Sequence, residues 1–146
     1  MNEKWDRRFL DVAKLVASWS KDPSTKVGAH IVNPDRTPVS YGYNGFPRGV
    51  GDDEERYANR ELKYKLVVHA EMNAILNARG QDLNGTLLYA TAFPCCSCAK
   101  AIIQAGIGEV VSFEWTDDYF SRWAEEIHTA KTMFKEAGII YRLIGV

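Results

Sequence analysis

Residues 86–115 read TLLYATAFPCCSCAKAIIQAGIGEVVSFEW. The stretch opens on a β-rich apolar run, TLLYATA, and closes on a second, EVVSFEW. Between them, CCSCAKAIIQAG predicts a helix that begins after Pro94 and stops at Gly106. Proline suits a helix start, because the N–H it lacks would have had no partner there. Strand, helix and strand in so short a span predict parallel strands with a helix packed over them. The alternation continues downstream. Residues 119–137 predict a long helix stopped by Gly138, and IIYRLIGV (139–146) predicts a final strand.

Working upstream, AEMNAILNARG (70–80) predicts a helix stopped by Gly80. Trp5, Phe9, Val12, Val16 and Trp19 fall near helical spacing, so residues 3–20 predict an amphipathic helix ended around Pro23. KVGAHIVN (26–33) and PVSYGY (38–43) predict two strands of a hairpin joined by PDRT. Residues 44–56, NGFPRGVGDDEER, are rich in glycine and turn formers and predict a loop, with a short helix over 57–66. No internal repeat, low-complexity tract or linker interrupts the chain, so residues 1–146 are read as one domain.

Charge narrows the function classes. The chain carries 18 Lys and Arg against 19 Asp and Glu, a net charge of −1. That balance argues against a nucleic-acid polymer as partner, since such binders carry a basic patch. No apolar run reaches membrane-spanning length, and MNEKWDRRFLDVAKL has no hydrophobic signal core. The three cysteines all lie between residues 95 and 98. An odd count crowded into one place is not a disulfide framework, so the reading is a cytoplasmic protein with available thiols.

Cys95 and Cys98 are three apart, which on a helix places both on one face. They sit at the positive end of the helix dipole, which favours thiolates. His69 offers a nitrogen, and two thiolates with one imidazole make a good zinc donor set. Three protein ligands leave a fourth position open, as catalytic zinc sites do. His30 and His128 are spare, and either could close the site. Glu71, two residues beyond His69, is the candidate general base and later proton donor. On a regular helix the two would face apart; at a helix start both can reach one cavity. Alone, the CxxC also fits core thiols or a redox pair, and Cys96 fits a small buried residue.

With these residues in hand, the chain resembles the cytidine and deoxycytidylate deaminase superfamily, whose signature is H-x-E…P-C-x-x-C. The narrower resemblance is to deoxycytidylate deaminases. It rests on SKDPSTKVGAHIVN (20–33), GYNGFPRG (42–49), HAEMNAI (69–75), FPCCSCAKAIIQAGI (93–107) and AGIIY (137–141). The resemblance implies a three-layer α/β/α fold with a mixed five-stranded sheet and helices on both faces. It implies hydrolytic deamination of dCMP to dUMP, with one catalytic Zn²⁺ on His69, Cys95 and Cys98, and Glu71 carrying protons. A nucleotide also needs an anion site. Ser24, Thr25 and Lys26 are the candidates, with Tyr119 a further phosphate contact and Asn44 for the sugar hydroxyl. The bland readings are a helix-ending turn for Ser24, a solvated lysine for Lys26 and turn chemistry for Asn44. The resemblance further implies a homo-oligomer, a hexamer, regulated by dCTP and dTTP, with Mg²⁺ accompanying the regulatory triphosphate. Gly45 and Arg48 are the candidate allosteric residues, although Arg48 also reads as an exposed loop charge. The segment between Gly49 and His69 holds no cysteine, against a second, structural zinc.

Rival functions fit parts of the same pattern. A tRNA adenosine deaminase would need basic surface, a free-nucleoside deaminase would need no anion site, and a non-catalytic zinc module would have no use for Glu71. A redox role for the cysteines predicts dithiol oxidation without metal. DDEE (52–55) reads as a solvated face, and the tryptophans as core or interface residues, with Trp115 a weak ligand-contact candidate.

Overall fold

The computed structural model describes residues 1–114 and 123–146 in full and residues 117–122 as helix backbone. Five strands form one sheet in the order β2-β1-β3-β4-β5: β1 (Gly28–Val32), β2 (Pro38–Tyr43), β3 (Leu87–Ala90), β4 (Glu109–Phe113) and β5 (Ile140–Ile144). β1 runs antiparallel to both β2 and β3, whereas β3, β4 and β5 are parallel. The mixed sheet and the βαβαβ half are those expected from the sequence.

Period-two alternation divides the core into two layers. Ala29 and Ile31 of β1, Leu88 and Ala90 of β3 and Val110 of β4 pack with α4 (Ala70–Asn77), α5 (Cys96–Ala105) and α6 (Asp117–Ala137). Val32, Leu87, Tyr89 and Val111 point to the other face, where α1 (Glu3–Ala17) covers them with Phe9 and Leu10. α1 begins on Asn2, whose side chain accepts from the Trp5 amide at 3.1 Å, and its acidic first turn favours the dipole. It ends at Ala17 instead of 20, its last carbonyls taken up by the turn through Ser18, Trp19 and Ser20.

The expected single helix over 57–66 is two helices. α2 spans Glu54–Ala58 and α3 spans Arg60–Leu66, each started by its own side-chain cap. Asp53 accepts from the Arg56 amide at 3.0 Å and Asn59 from the Leu62 amide at 3.1 Å. Asn59 adopts extended backbone (ψ 94°), which breaks the helical run. The first of these helices therefore starts inside the segment read as loop.

Two glycines fix how the site helices sit. Gly106 ends α5 in the left-handed region at φ 85°, as the sequence suggested. Gly42 on β2 faces α4 so closely that a Cβ there would collide with the Ala70 carbonyl and the Ala74 amide. Asn73 and Asn77 of α4 donate at 2.8 Å to the carbonyls of Tyr43 and Tyr41, tying the same helix to the edge strand.

Candidate active site

The site is built on two helix starts. His69 precedes α4 with extended backbone (ψ 155°), and Cys95 precedes α5 likewise (ψ 175°). α4 and α5 pack side by side on one face of the sheet, and their N-termini converge. His69 Nδ1 lies 3.4 Å from Cys95 Sγ and 3.4 Å from Cys98 Sγ. Zinc bonds of ~2.3 Å to sulfur and ~2.0 Å to nitrogen, at a tetrahedral angle, set such a separation at about 3.5 Å. The donor set therefore fits zinc in both chemistry and spacing. Among the described residues this is the one group of three or more such donors.

The other thiol and the spare histidines do not join. Cys96 Sγ turns to the Glu126 carbonyl at 3.3 Å. His30 is buried in β1 beside Phe9 and Tyr41, with Nδ1 3.1 Å from the Ser40 carbonyl. His128 is exposed on α6. None of the three closes the cluster.

Glu71 is 4% exposed, and it lines the same cavity as His69 and Cys95. The extended backbone at His69 is what lets both side chains reach one cavity. Burial pushes the Glu71 carboxyl up, against the opposing pull of the His69 charge. The Cys98 hydrogen bond, helped by His69, draws the Cys95 thiol down, while contact with Cys95 and burial push Cys98 up.

The cavity is about 450 Å³, a size suited to a small molecule. From the cluster it runs past Ala92, Phe93 and Trp123 to a wall made by Asp22, Ser24, Thr25 and Asn44 and by α3. α3 contributes Arg60, Lys63 and Tyr64. Arg60 Nε donates to the Tyr64 hydroxyl at 3.0 Å; its terminal nitrogens have no hydrogen-bond partner among the described residues.

The expected substrate residues fare unevenly. Ser24 lines the cavity, but its hydroxyl donates to Asp22 and accepts from Lys63. Asn44 lines it too; its amide donates to the Thr25 carbonyl at 2.8 Å and its oxygen accepts from the Val27 amide at 2.9 Å. Lys26 is exposed and absent from the cavity wall. The Tyr119 side chain and Trp115 lie outside the described residues. Gly45 pairs with Val68, and exposed Arg48 donates to Asn77 at 3.3 Å; neither lines the cavity. Sequence reasoning missed Arg60, Lys63 and Asp22. Asp22 carries a signal, since Asp before Pro-Ser-Thr is an Asx-turn pattern. The two basic residues carry none, because surface helices commonly bear such charges.

The comparisons with known proteins agree with this geometry. The family described as the cytidine and deoxycytidylate deaminase zinc-binding region matches residues 3–114. The chain belongs to this family. It is 50% identical, over 95% of its length and 92% of the relative's, to an uncharacterised deaminase in the luxG 3' region of Aliivibrio fischeri. It is 46% identical to mouse deoxycytidylate deaminase, over 95% of this chain and 79% of the mouse protein. The fold matches a crystal structure of dCMP deaminase from cyanophage S-TIM5 in complex with dCMP and dUMP. The TM-score there is 0.78 at 24% identity, covering 99% of each chain. That likeness establishes the three-layer deaminase fold.

Proposed function

We propose that the chain deaminates dCMP to dUMP hydrolytically. The observation that carries this reading is one cavity with a zinc-type donor cluster and a buried carboxylate at one end and basic residues of α3 along its wall. Relatives named deoxycytidylate deaminase, from mouse and human at 46% and 44% identity, support the same substrate.

In this reading His69, Cys95 and Cys98 hold zinc, which supplies an acidified water when bound. Glu71 takes a proton from water and passes it to the ring N3, then takes the second proton from the new C4 hydroxyl and gives it to the departing amine. The water oxygen bonds to C4, the exocyclic C–N bond breaks and ammonia leaves. Burial suits Glu71 to this work, since raised proton affinity lets one carboxyl both accept and return a proton. Phe93 and Trp123 give the base an apolar slot that keeps bulk water out. The spare lone pair of Asn44 Oδ1 accepts from a sugar hydroxyl. Arg60 offers the 5'-phosphate its terminal nitrogens, which have no hydrogen-bond partner among the described residues, in place of Lys26.

The proposal extends to regulation by dCTP and dTTP at the GYNGFPRG loop, with Mg²⁺ brought by the triphosphate. Its support is a mechanical link: Gly45 exchanges hydrogen bonds with Val68 at 3.1 and 2.8 Å, and Val68 adjoins His69. A ligand that shifts this loop pulls on a metal ligand. Assembly into homo-oligomers belongs to the same proposal, supported by exposed Trp19, Tyr41 and Tyr43 at β2 and Leu76 on α4.

The test is a substrate panel of dCMP, CMP, deoxycytidine and dCTP on zinc-loaded protein, with and without added dCTP or dTTP. Preferred turnover of dCMP is expected. Zinc-replete protein that leaves every cytosine compound intact would overturn the reading.

A further inference from the structure

Asp22 is an acidic residue in the wall of a cavity read as binding an anion, and its side chain is 2% exposed. Its Oδ1 accepts from the Ser24 amide at 2.9 Å, the Ser24 hydroxyl at 3.0 Å and the Thr25 amide at 3.2 Å. Lys63 reaches across from α3 and places its ammonium 2.9 Å from Oδ1 and 2.8 Å from Oδ2. The same ammonium donates to Ser24 Oγ at 2.9 Å. Its three donor positions are thereby used inside the protein. Lys63 is 12% exposed, so this pair is not a solvent-screened surface bridge. Removing one partner of a buried pair leaves the other as an uncompensated charge.

We infer that Lys63 is a positioning residue that makes this cavity accept an anionic substrate, by cancelling Asp22 and fixing the Ser24–Thr25 turn, without binding the phosphate itself. The inference rests on the nucleotide reading above. This pair joins two segments that are far apart in sequence. The Asp22 carboxylate organises the turn, and the Lys63 ammonium removes the repulsion that carboxylate would exert on a phosphate. Local charge decides the outcome: it is zero with both groups, negative in Lys63→Met, positive in Asp22→Asn, and zero again in the double variant. Asparagine at 22 retains an oxygen for the Ser24 and Thr25 donors, so the neutral double variant preserves the turn.

The experiment measures kcat and KM for dCMP and for deoxycytidine in wild type, Lys63→Met, Lys63→Arg and Asp22→Asn/Lys63→Met, with thermal melts to confirm folding. Lys63→Met is expected to raise KM for dCMP on the order of tenfold, as an uncancelled charge near the ligand demands, with little change for deoxycytidine. Lys63→Arg recovers part of the loss. The double variant returns the dCMP value to within about threefold of wild type, although it has lost a salt bridge. Equal shifts for the two substrates would overturn the inference, because a merely structural residue acts on both. So would a folded double variant whose KM for dCMP stays raised. If Lys63→Met alone fails to fold, the double variant still decides. Wild type inactive on dCMP sinks the functional reading; active wild type with equal shifts sinks this inference alone.

Discussion

Replacing Gly42 by alanine is the sharpest test of how the fold holds the site. A Cβ at this position meets the Ala70 carbonyl and the Ala74 amide, both backbone atoms of α4 that cannot rotate away. Restoring ordinary contact requires the N-terminal half of α4 to lift on the order of 1 Å. Overpacking of this kind costs about 1–3 kcal/mol, which for a chain of this size lowers the melting temperature by roughly 3–10 °C. The same lift carries His69 and Glu71 away from Cys95 and Cys98. A misplacement of ~1 Å costs on the order of 10²-fold in turnover. Gly45, three residues on, is the control, since a Cβ there meets nothing within 4 Å. Gly45→Ala should melt within about 2 °C of wild type and keep its activity without effectors. Differential scanning calorimetry, metal content and dCMP turnover, run on both variants, give the comparison. A Gly42→Ala protein with wild-type melting and turnover would refute the claim that close helix–strand contact sets the site.

Glu71→Gln should lower kcat by ~10²–10⁴-fold while leaving zinc content unchanged, read by kinetics and elemental analysis of one preparation. Cys95→Ser should lose zinc under mild chelation that Cys96→Ala withstands, because the Cys96 thiol points to the Glu126 carbonyl. Lys26→Ala should leave KM for dCMP unchanged, whereas Arg60→Ala should raise it several-fold, as loss of a charge-assisted contact does. Asp6→Asn tests stability. Burial raises the Asp6 carboxyl, but hydrogen bonds from Arg142 and Tyr89 and the Arg142 charge outweigh it and hold the group below its ordinary 3.8. The stabilisation is therefore full above about pH 4 and is lost as pH falls through the lowered value. Breaking the pair should cost about 3 kcal/mol at neutral pH, and acid unfolding curves of wild type and variant should converge once the pH is below the lowered Asp6 value.

The parallel half of the sheet was legible because its signals are local: apolar runs, a proline before α5 and glycines after each helix. The candidate metal cluster was legible for the same reason, since His69, Cys95 and Cys98 lie in short motifs at helix starts. What escaped was assembled at long range. Lys63 and Asp22 are separated by 41 positions and no periodicity connects them. Lys26 stands in the motif that suggested an anion site, yet the chain turns its side chain to solvent. The division of 54–66 into two helices turned on the side chains of Asp53 and Asn59, which read as ordinary polar residues until their amide partners were known.

The Gly45–Val68 bridge staples together the two feet of a hoop, residues 46–67, that carries α2 and α3. Lengthening such a hoop costs entropy only as the logarithm of its length. Chain can thus be spliced in or trimmed out between the feet while His69, one residue past the staple, stays in place. A descendant of this protein could retailor which molecules it admits without disturbing the atoms that cut the C–N bond.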